Sequence, residues 1–138
     1  MLELTREVYD DVVAAGRDGA PEEVCGVLAG EYDEEHSVAV AVHHTANAAD
    51  DPETRYRIDP EEQLATFEAV EDAGLDVVGF YHTHPAGPPE PSGTDVASAA
   101  WPGYSYAICA LDGHPYLGSW RWHGDERGFE QEVVRVTA

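Results

Sequence analysis

The sequence predicts an α/β fold, one sheet flanked by helices, in a single domain over residues 1–138. Three observations carry this expectation. Runs with strand character are interspersed with segments of helical spacing, so strands and helices are mixed along the chain. Near the end, the strand-like runs 104–111, 116–122 and 129–136 follow one another across polar turns, which reads as an antiparallel series. The chain has 138 residues and an ordinary apolar fraction, enough for one real core, and shows neither internal repeats nor a linker.

Residues 2–4 read as a short strand. Thr5 is a good N-cap, and 6–17 places Val8, Val12, Val13 and Ala15 at helical spacing, with Gly16 and Gly19 expected to end the helix. A buried strand over 24–32 starts directly after Glu22-Glu23, and an acidic turn leads to a second strand over 37–44. An irregular loop over 45–54 gives way to a short extended piece, 55–58. Asp59 then caps a helix with Pro60 at its first position, running to about residue 73 and expected to bury Leu64, Phe67, Ala69 and Val70.

The segment 77–95, VVGFYHTHPAGPPEPSGTD, organises the rest. Val77, Val78, Phe80 and Tyr81 form a strand that ends in His82-Thr83-His84. Residues two apart on a strand share a face, so both imidazoles point one way and Thr83, a structural residue, points the other. Pro85 stops the pairing, and a Gly/Pro-rich loop leads to Ser92, which opens a helix carrying Asp95 in its first turn. That helix is expected to run to residue 100, before Trp101-Pro102-Gly103. Two His and an Asp are three ligands able to converge with a fourth position open, the arrangement of a catalytic zinc. Each half alone also has a plainer reading: Ser92 to Asp95 is an ordinary helix start, and His often sits at a surface.

His82-x-His84-Pro85, then Ser92, then Asp95 three residues on, resembles the JAMM (MPN+) metalloprotease family. The family also has a Glu just before a hydrophobic strand, in a context like Glu-x-Cys-Gly. Here Glu23 matches, two before Cys25-Gly26, with Glu22 as the fallback. PETRYRIDP, 52–60, is similar to the segment before the second helix of prokaryotic members, so the resemblance covers about 21–112. It implies a single α/β JAMM/MPN domain, cytidine-deaminase-like, with a curved, mostly antiparallel sheet flanked by helices. It implies one Zn²⁺ per chain on His82, His84 and Asp95, with Glu23 moving the proton of an activated water and Ser92 donating to the oxyanion. The reaction implied is hydrolysis of isopeptide bonds, and of linear bonds after Gly-Gly, releasing ubiquitin-like small archaeal modifier proteins from target lysines. An extended tail along a sheet edge is the expected mode of recognition, with residues 88–91 and Trp101 as contacts. Two other readings stay open on the same residues: a zinc peptidase releasing an amino acid from a sulfur-carrier protein, and a non-catalytic scaffold.

Charge narrows the setting. There are 28 acids against seven bases, a formal net charge of −21, and every base is an Arg. Acids spread through a chain with a normal core fraction point to a protein of concentrated salt, because self-repulsion is screened there over about 3 Å at 1 M. A halophilic archaeal cytoplasm fits; the other reading is an ordinary acidic protein that repels nucleic acid and anionic lipid, and under either, nucleic acid and membrane surfaces are not expected partners. No apolar run reaches the roughly 20 residues of a membrane span, and no signal peptide is expected. Cys25 and Cys109 lie in apolar runs and read as buried hydrophobes rather than nucleophiles. His43 and His44 face opposite sides of their strand, and His36, His114 and His123 lie beside turns, so all five read as surface residues. A zinc deaminase would need a Pro-Cys-x-x-Cys pair, which is absent.

Overall fold

The computed structural model describes residues 1–113 and 115–137. The described chain forms β1 (Leu2–Thr5), α1 (Arg6–Gly19), β2 (Cys25–Glu31), β3 (Ser37–Thr45), α2 (Pro60–Asp72), β4 (Asp76–His84), α3 (Gly93–Ser98), β5 (Ser105–Ala110), β6 (Tyr116–Trp122), β7 (Phe129–Glu132) and β8 (Val134–Thr137). The strands make one sheet in the order β7-β6-β5-β4-β2-β3-β1-β8. Four pairings are antiparallel (β2–β3, β2–β4, β5–β6, β6–β7) and three parallel (β1–β3, β1–β8, β4–β5), so the α/β sheet is mixed, with a slight antiparallel majority.

Each helix starts where its cap dictates. Thr5 accepts from Val8 N–H, Asp59 accepts from Glu61 and Glu62 N–H ahead of a helix begun by Pro60, and Ser92 and Asp95 form a reciprocal capping box. The sheet buries both faces. On one, Val8, Val12 and Val13 of α1 pack against Leu28 and Tyr81; on the other, Cys25, Val27, Phe80 and Tyr106 gather with Ile58. A register shift between Leu28 and Ala29 opposite β4 puts Val78 and Tyr81 on the α1 face and Phe80 on the opposite face.

Four expectations change. Gly16 does not end α1: it is buried inside the helix, where a Cβ would lie 2.8 Å from Leu111 and 2.9 Å from Thr83, so its role is close approach of α1 to the sheet. On α2 only Val70 is fully buried; Leu64 is 60% exposed and Ala69 is exposed, because the helix rests on the sheet by one narrow edge. The motif helix α3 stops at Ser98 rather than residue 100, since the Ala99 cap is already extended. The run 129–136 is two strands, not one. β7 pairs with β6 at one edge of the sheet and β8 with β1 at the other, with only Val133 between them. Two edges joined by one residue force the sheet to curl until they meet, and Leu2 N–H donates to Val133 O across the seam at 2.9 Å.

Arg121, buried at 5% exposure, closes the seam. Its guanidinium bonds Glu132 at 3.0 Å, the carbonyls of Asp33, Glu34 and Gly103, and Ser37 Oγ. Burial raises the Glu132 carboxyl, but the hydrogen bond from Ser119, the charge of Arg121 and the Met1 ammonium 3.1 Å away hold it below its ordinary value. A depressed carboxylate gives stability that is present above its unfolded pKa and lost as pH falls through the folded one. Arg121→Met should therefore cost about 3–5 kcal/mol at neutral pH, by removing one of the two cations on the buried Glu132, the other being the Met1 ammonium at 3.1 Å, and by leaving the carbonyls of Asp33, Glu34 and Gly103 without that donor. Denaturant melts should show that penalty shrinking on acidification through the carboxylate range.

Candidate metal centre

The last turn of β4 and the first turn of α3 meet at the carboxyl end of the parallel β4–β5 pair. Gly79 lets that pair close, since a Cβ there would lie 2.0 Å from Ser105 O. His82, His84 and Asp95 are all buried where they meet. Thr83, on the opposite face, accepts from Val24 N–H at 2.9 Å and so ties the start of β2 to the end of β4. This tie places Glu23, also buried, beside the two imidazoles; one ligand atom each from Glu23, His82 and His84 lies within 4.8 Å of the others. Glu22 is exposed.

His82 Nε2, His84 Nε2 and Asp95 Oδ2 form a near-equilateral triangle with sides of 3.1, 3.1 and 3.2 Å. A tetrahedral ion with bonds of about 2.0–2.1 Å has ligand–ligand edges of about 3.3–3.4 Å, so the triangle fits one face of such a shell. Proton counting points the same way. His84 Nδ1 lies 2.9 Å from Pro88 O, which only accepts, so Nδ1 carries the proton and Nε2 of the neutral ring presents a lone pair. Asp95 Oδ2 already accepts from Ser92 N–H at 2.8 Å. A neutral His82 offers at most one proton to three contacts between acceptors, and a cation satisfies all three. The donor set of two imidazoles and a carboxylate suits zinc, with a further position open.

The electrostatics follow from this crowding. Burial raises the Asp95 carboxyl, yet the His82 and His84 imidazoles against it and the N–H of Ser92 hold it well below the carboxylate range. Burial pushes the Glu23 carboxyl up to about 7, with His84 opposing and Asp95 adding. Glu23 Oε1 is buried with no hydrogen-bond partner among the described residues, a free acceptor beside the imidazoles. Ser92 is exposed; its Oγ accepts Asp95 N–H at 3.1 Å, which leaves the hydroxyl proton free to be donated elsewhere.

Two residues at the centre carried no distinct signal in the sequence. Tyr56 lies flat on His82, ring centroids 4.3 Å apart and planes 20° from parallel. Asn47 uses every hydrogen-bonding position of its amide: Nδ2 donates to Glu23 O and Arg55 O, and Oδ1 accepts from Ala49 and Arg57 N–H. The PETRYRIDP resemblance marks the segment of Tyr56 but not its stacking, and Asn47 is one polar residue in a polar loop. Beside Tyr56 opens a groove of about 890 Å³ with Ile58, Phe80, Trp101 and Tyr106 along it. Of the residues anticipated as contacts, Trp101 lines this groove, while Pro88 turns its carbonyl to His84. The other described His lie elsewhere: His36 by Glu3, His43 half-buried on β3, His44 on Tyr81 OH, His123 by Glu130; His114 lies outside the described residues.

Residues 5–123 match the family described as prokaryotic homologs of the JAB domain. The chain is 45% identical over 129 residues to the desampylase of Haloferax volcanii, covering 91% of this chain and 90% of that protein. It is 37% identical over 108 residues to the CysO-cysteine peptidase of Mycobacterium tuberculosis, covering 78% and 72%. A solution structure of a Desulfitobacterium hafniense protein superposes with a TM-score of 0.88 at 30% identity, over 99% of this chain and 93% of that one. A JAB1/MPN domain protein from Archaeoglobus fulgidus, at 16% identity and a TM-score of 0.65 over 99% and 97%, shares the fold.

Neither cysteine competes for the chemistry. Cys25 Sγ sits against Thr45 Oγ1 and Ala46 O, and burial pushes both thiols, Cys25 and Cys109, up to about 11. At pH 7.5 the folded protein should take up no iodoacetamide, and the unfolded protein two equivalents, read by intact mass. Labelling of Cys25 in the folded state would restore a thiol nucleophile to consideration.

Proposed function

This chain belongs to the family of prokaryotic JAB-domain homologues, a JAMM-type hydrolase, and from that membership we propose that it is a zinc isopeptidase. Its substrates are ubiquitin-like modifier proteins ending in Gly-Gly, which it releases from the lysines of their conjugates and from linear fusions. The observation that carries this reading is the triangle of His82, His84 and Asp95 with the unpartnered carboxylate of Glu23 beside it. The likeness to the Haloferax volcanii desampylase, over nearly the whole of both chains, supports the substrate class. The acid surplus supports work in the cytoplasm of a halophile.

His82, His84 and Asp95 hold the zinc, which when bound supplies Lewis acidity and lowers the pKa of a water towards about 7. Glu23 Oε1 takes the proton of the attacking water as its oxygen adds to the carbonyl carbon of the terminal Gly. The same carboxyl then gives that proton to the lysine nitrogen as the C–N bond breaks, leaving a Gly carboxylate and a free amine. Ser92 donates its hydroxyl proton to the oxyanion, a contact whose loss costs about 10²–10³-fold in turnover.

The groove supports an extended tail. Along 55–58 the side chains alternate exposed and inward, Arg55 and Arg57 out, Tyr56 and Ile58 in, as an extended run does. Arg55 O and both backbone groups of Arg57 bond to Asn47 and Ala48, while Tyr56 N–H and C=O have no partner among the described residues. This one-sided edge can pair with a passing Gly-Gly tail.

The test is cleavage in about 2 M salt, where screening is strong. The modifier is offered as a lysine conjugate and as a cysteinyl adduct, with chelator and with zinc restored, and product ends are identified by mass. The reading expects modifier ending in Gly-Gly from the lysine conjugate, lost with chelator and regained with zinc. Cleavage of the cysteinyl adduct alone would favour the activity named for the mycobacterial relative. Glu23→Gln should keep its zinc and lose about 10²–10⁴-fold in rate. Glu22→Ala should change neither, and His84→Ala should lose both, as read by metal content and turnover.

A further inference from the structure

His82 and His84 are held in different ways. The ring of His84 is oriented by its Nδ1 bond to Pro88 O, the usual outer support of a metal-ligating imidazole. His82 has no such support: its Nδ1 is buried and has no partner among the described residues. β4 fixes the backbone of His82, and Nε2 meets His84 and Asp95 at 3.1 Å on the ligand side, but rotation about the last side-chain bond of a His is broad and nothing bonds the Nδ1 side, so the ring plane needs a further support. Tyr56 lies against that plane at 4.3 Å and 20°.

Tyr56 is itself pinned on both sides. Its neighbours Arg55 and Arg57 bond to the amide of Asn47 at 3.0 and 3.1 Å, and the same amide holds Glu23 O at 2.9 Å. A second tie, Glu23 N–H to Pro52 O at 2.7 Å, anchors the loop to the same residue. One short strap thus connects the backbone of Glu23, the wall of the groove and the face of His82. The phenol hydroxyl makes no hydrogen bond among the described residues, so the contact with His82 is made by the ring alone.

We propose that Tyr56 is a positioning residue, a flat aromatic stop that sets the plane of His82 where a hydrogen bond would otherwise do so, and that Asn47 holds it in register with Glu23. The inference rests on His82 being a metal ligand. Removing the ring lets His82 turn its Nε2 away from the shared position, and the loss appears in metal affinity before it appears in catalysis. Loss of an outer support of this kind typically weakens metal binding about 10–100-fold.

The experiment titrates zinc into the metal-free protein, residues 1–138, against a chromophoric chelator, in high salt and without substrate. Tyr56→Phe should bind within about twofold of the parent, because the ring is kept; Tyr56→Leu should bind 10–100-fold more weakly. The visible spectrum of the cobalt-loaded protein should change in Tyr56→Leu and not in Tyr56→Phe, a readout that a purely structural wall would not move. Thermal unfolding of the metal-free variants checks that they fold, and Tyr56→Met, which fills the space without a plane, replaces Tyr56→Leu if that variant does not. A folded Tyr56→Leu or Tyr56→Met with parental zinc affinity and cobalt spectrum would overturn the inference. So would a parent protein that binds no zinc. A parent that binds zinc but cleaves no modifier would count against the isopeptidase reading alone.

Discussion

Three acceptor atoms within 3.2 Å of one another, in a buried pocket with at most one proton to share among neutral rings, set the condition that the rest of the structure meets. An unmet buried acceptor costs about 1–3 kcal/mol, and a fold keeps such a cluster only where its backbone leaves it no room to disperse. That constraint is visible in the sheet. β4 is paired on both sides, antiparallel to β2 and parallel to β5, so neither His can retreat along the strand. The capping box holds Asp95 from the other side through Ser92 N–H. The Pro88 carbonyl decides which nitrogen of His84 faces inward.

The same elements shape the groove beside the centre. The carboxyl end of a parallel strand pair is open by construction, because α3 crosses over only after the centre has been formed. The 47–58 loop forms one wall of the groove and is tied by Asn47 and Pro52 to Glu23, so the groove and the residue proposed to move the proton share a support. In concentrated salt, long-range steering by charge is weak. A groove lined by Phe80 and Tyr106 and edged by free backbone groups offers short-range contacts that salt does not screen.

How much of this was legible in the sequence depends on how local each feature is. His82, His84 and Asp95 were legible because strand periodicity and a helix cap are local rules that fix both direction and spacing. Glu23 was not legible from its own surroundings, where Glu22 looks equivalent, and only the resemblance to a family separated them. Their difference is long-range: the tie between Val24 and Thr83, 59 residues apart, brings Glu23 to the centre. The division of 129–136 into two strands on opposite edges was hidden for the same reason, since Val133 carries no turn signal and the break is imposed by closure around Arg121. Helical spacing puts Leu64 in the core, but spacing does not reveal how narrow the contact of α2 with the sheet is. Asn47 and Tyr56 act through contacts that no local pattern encodes.

The measurement that tests this account most directly is a crystal structure of the protein grown with zinc, with anomalous diffraction recorded on both sides of the zinc edge. The account predicts one buried peak per chain, about 2.0–2.1 Å from His82 Nε2, His84 Nε2 and an Asp95 oxygen, with Glu23 near but outside the bonding distance. A peak ligated by Glu23 in place of Asp95, or no peak between the two imidazoles, would contradict it.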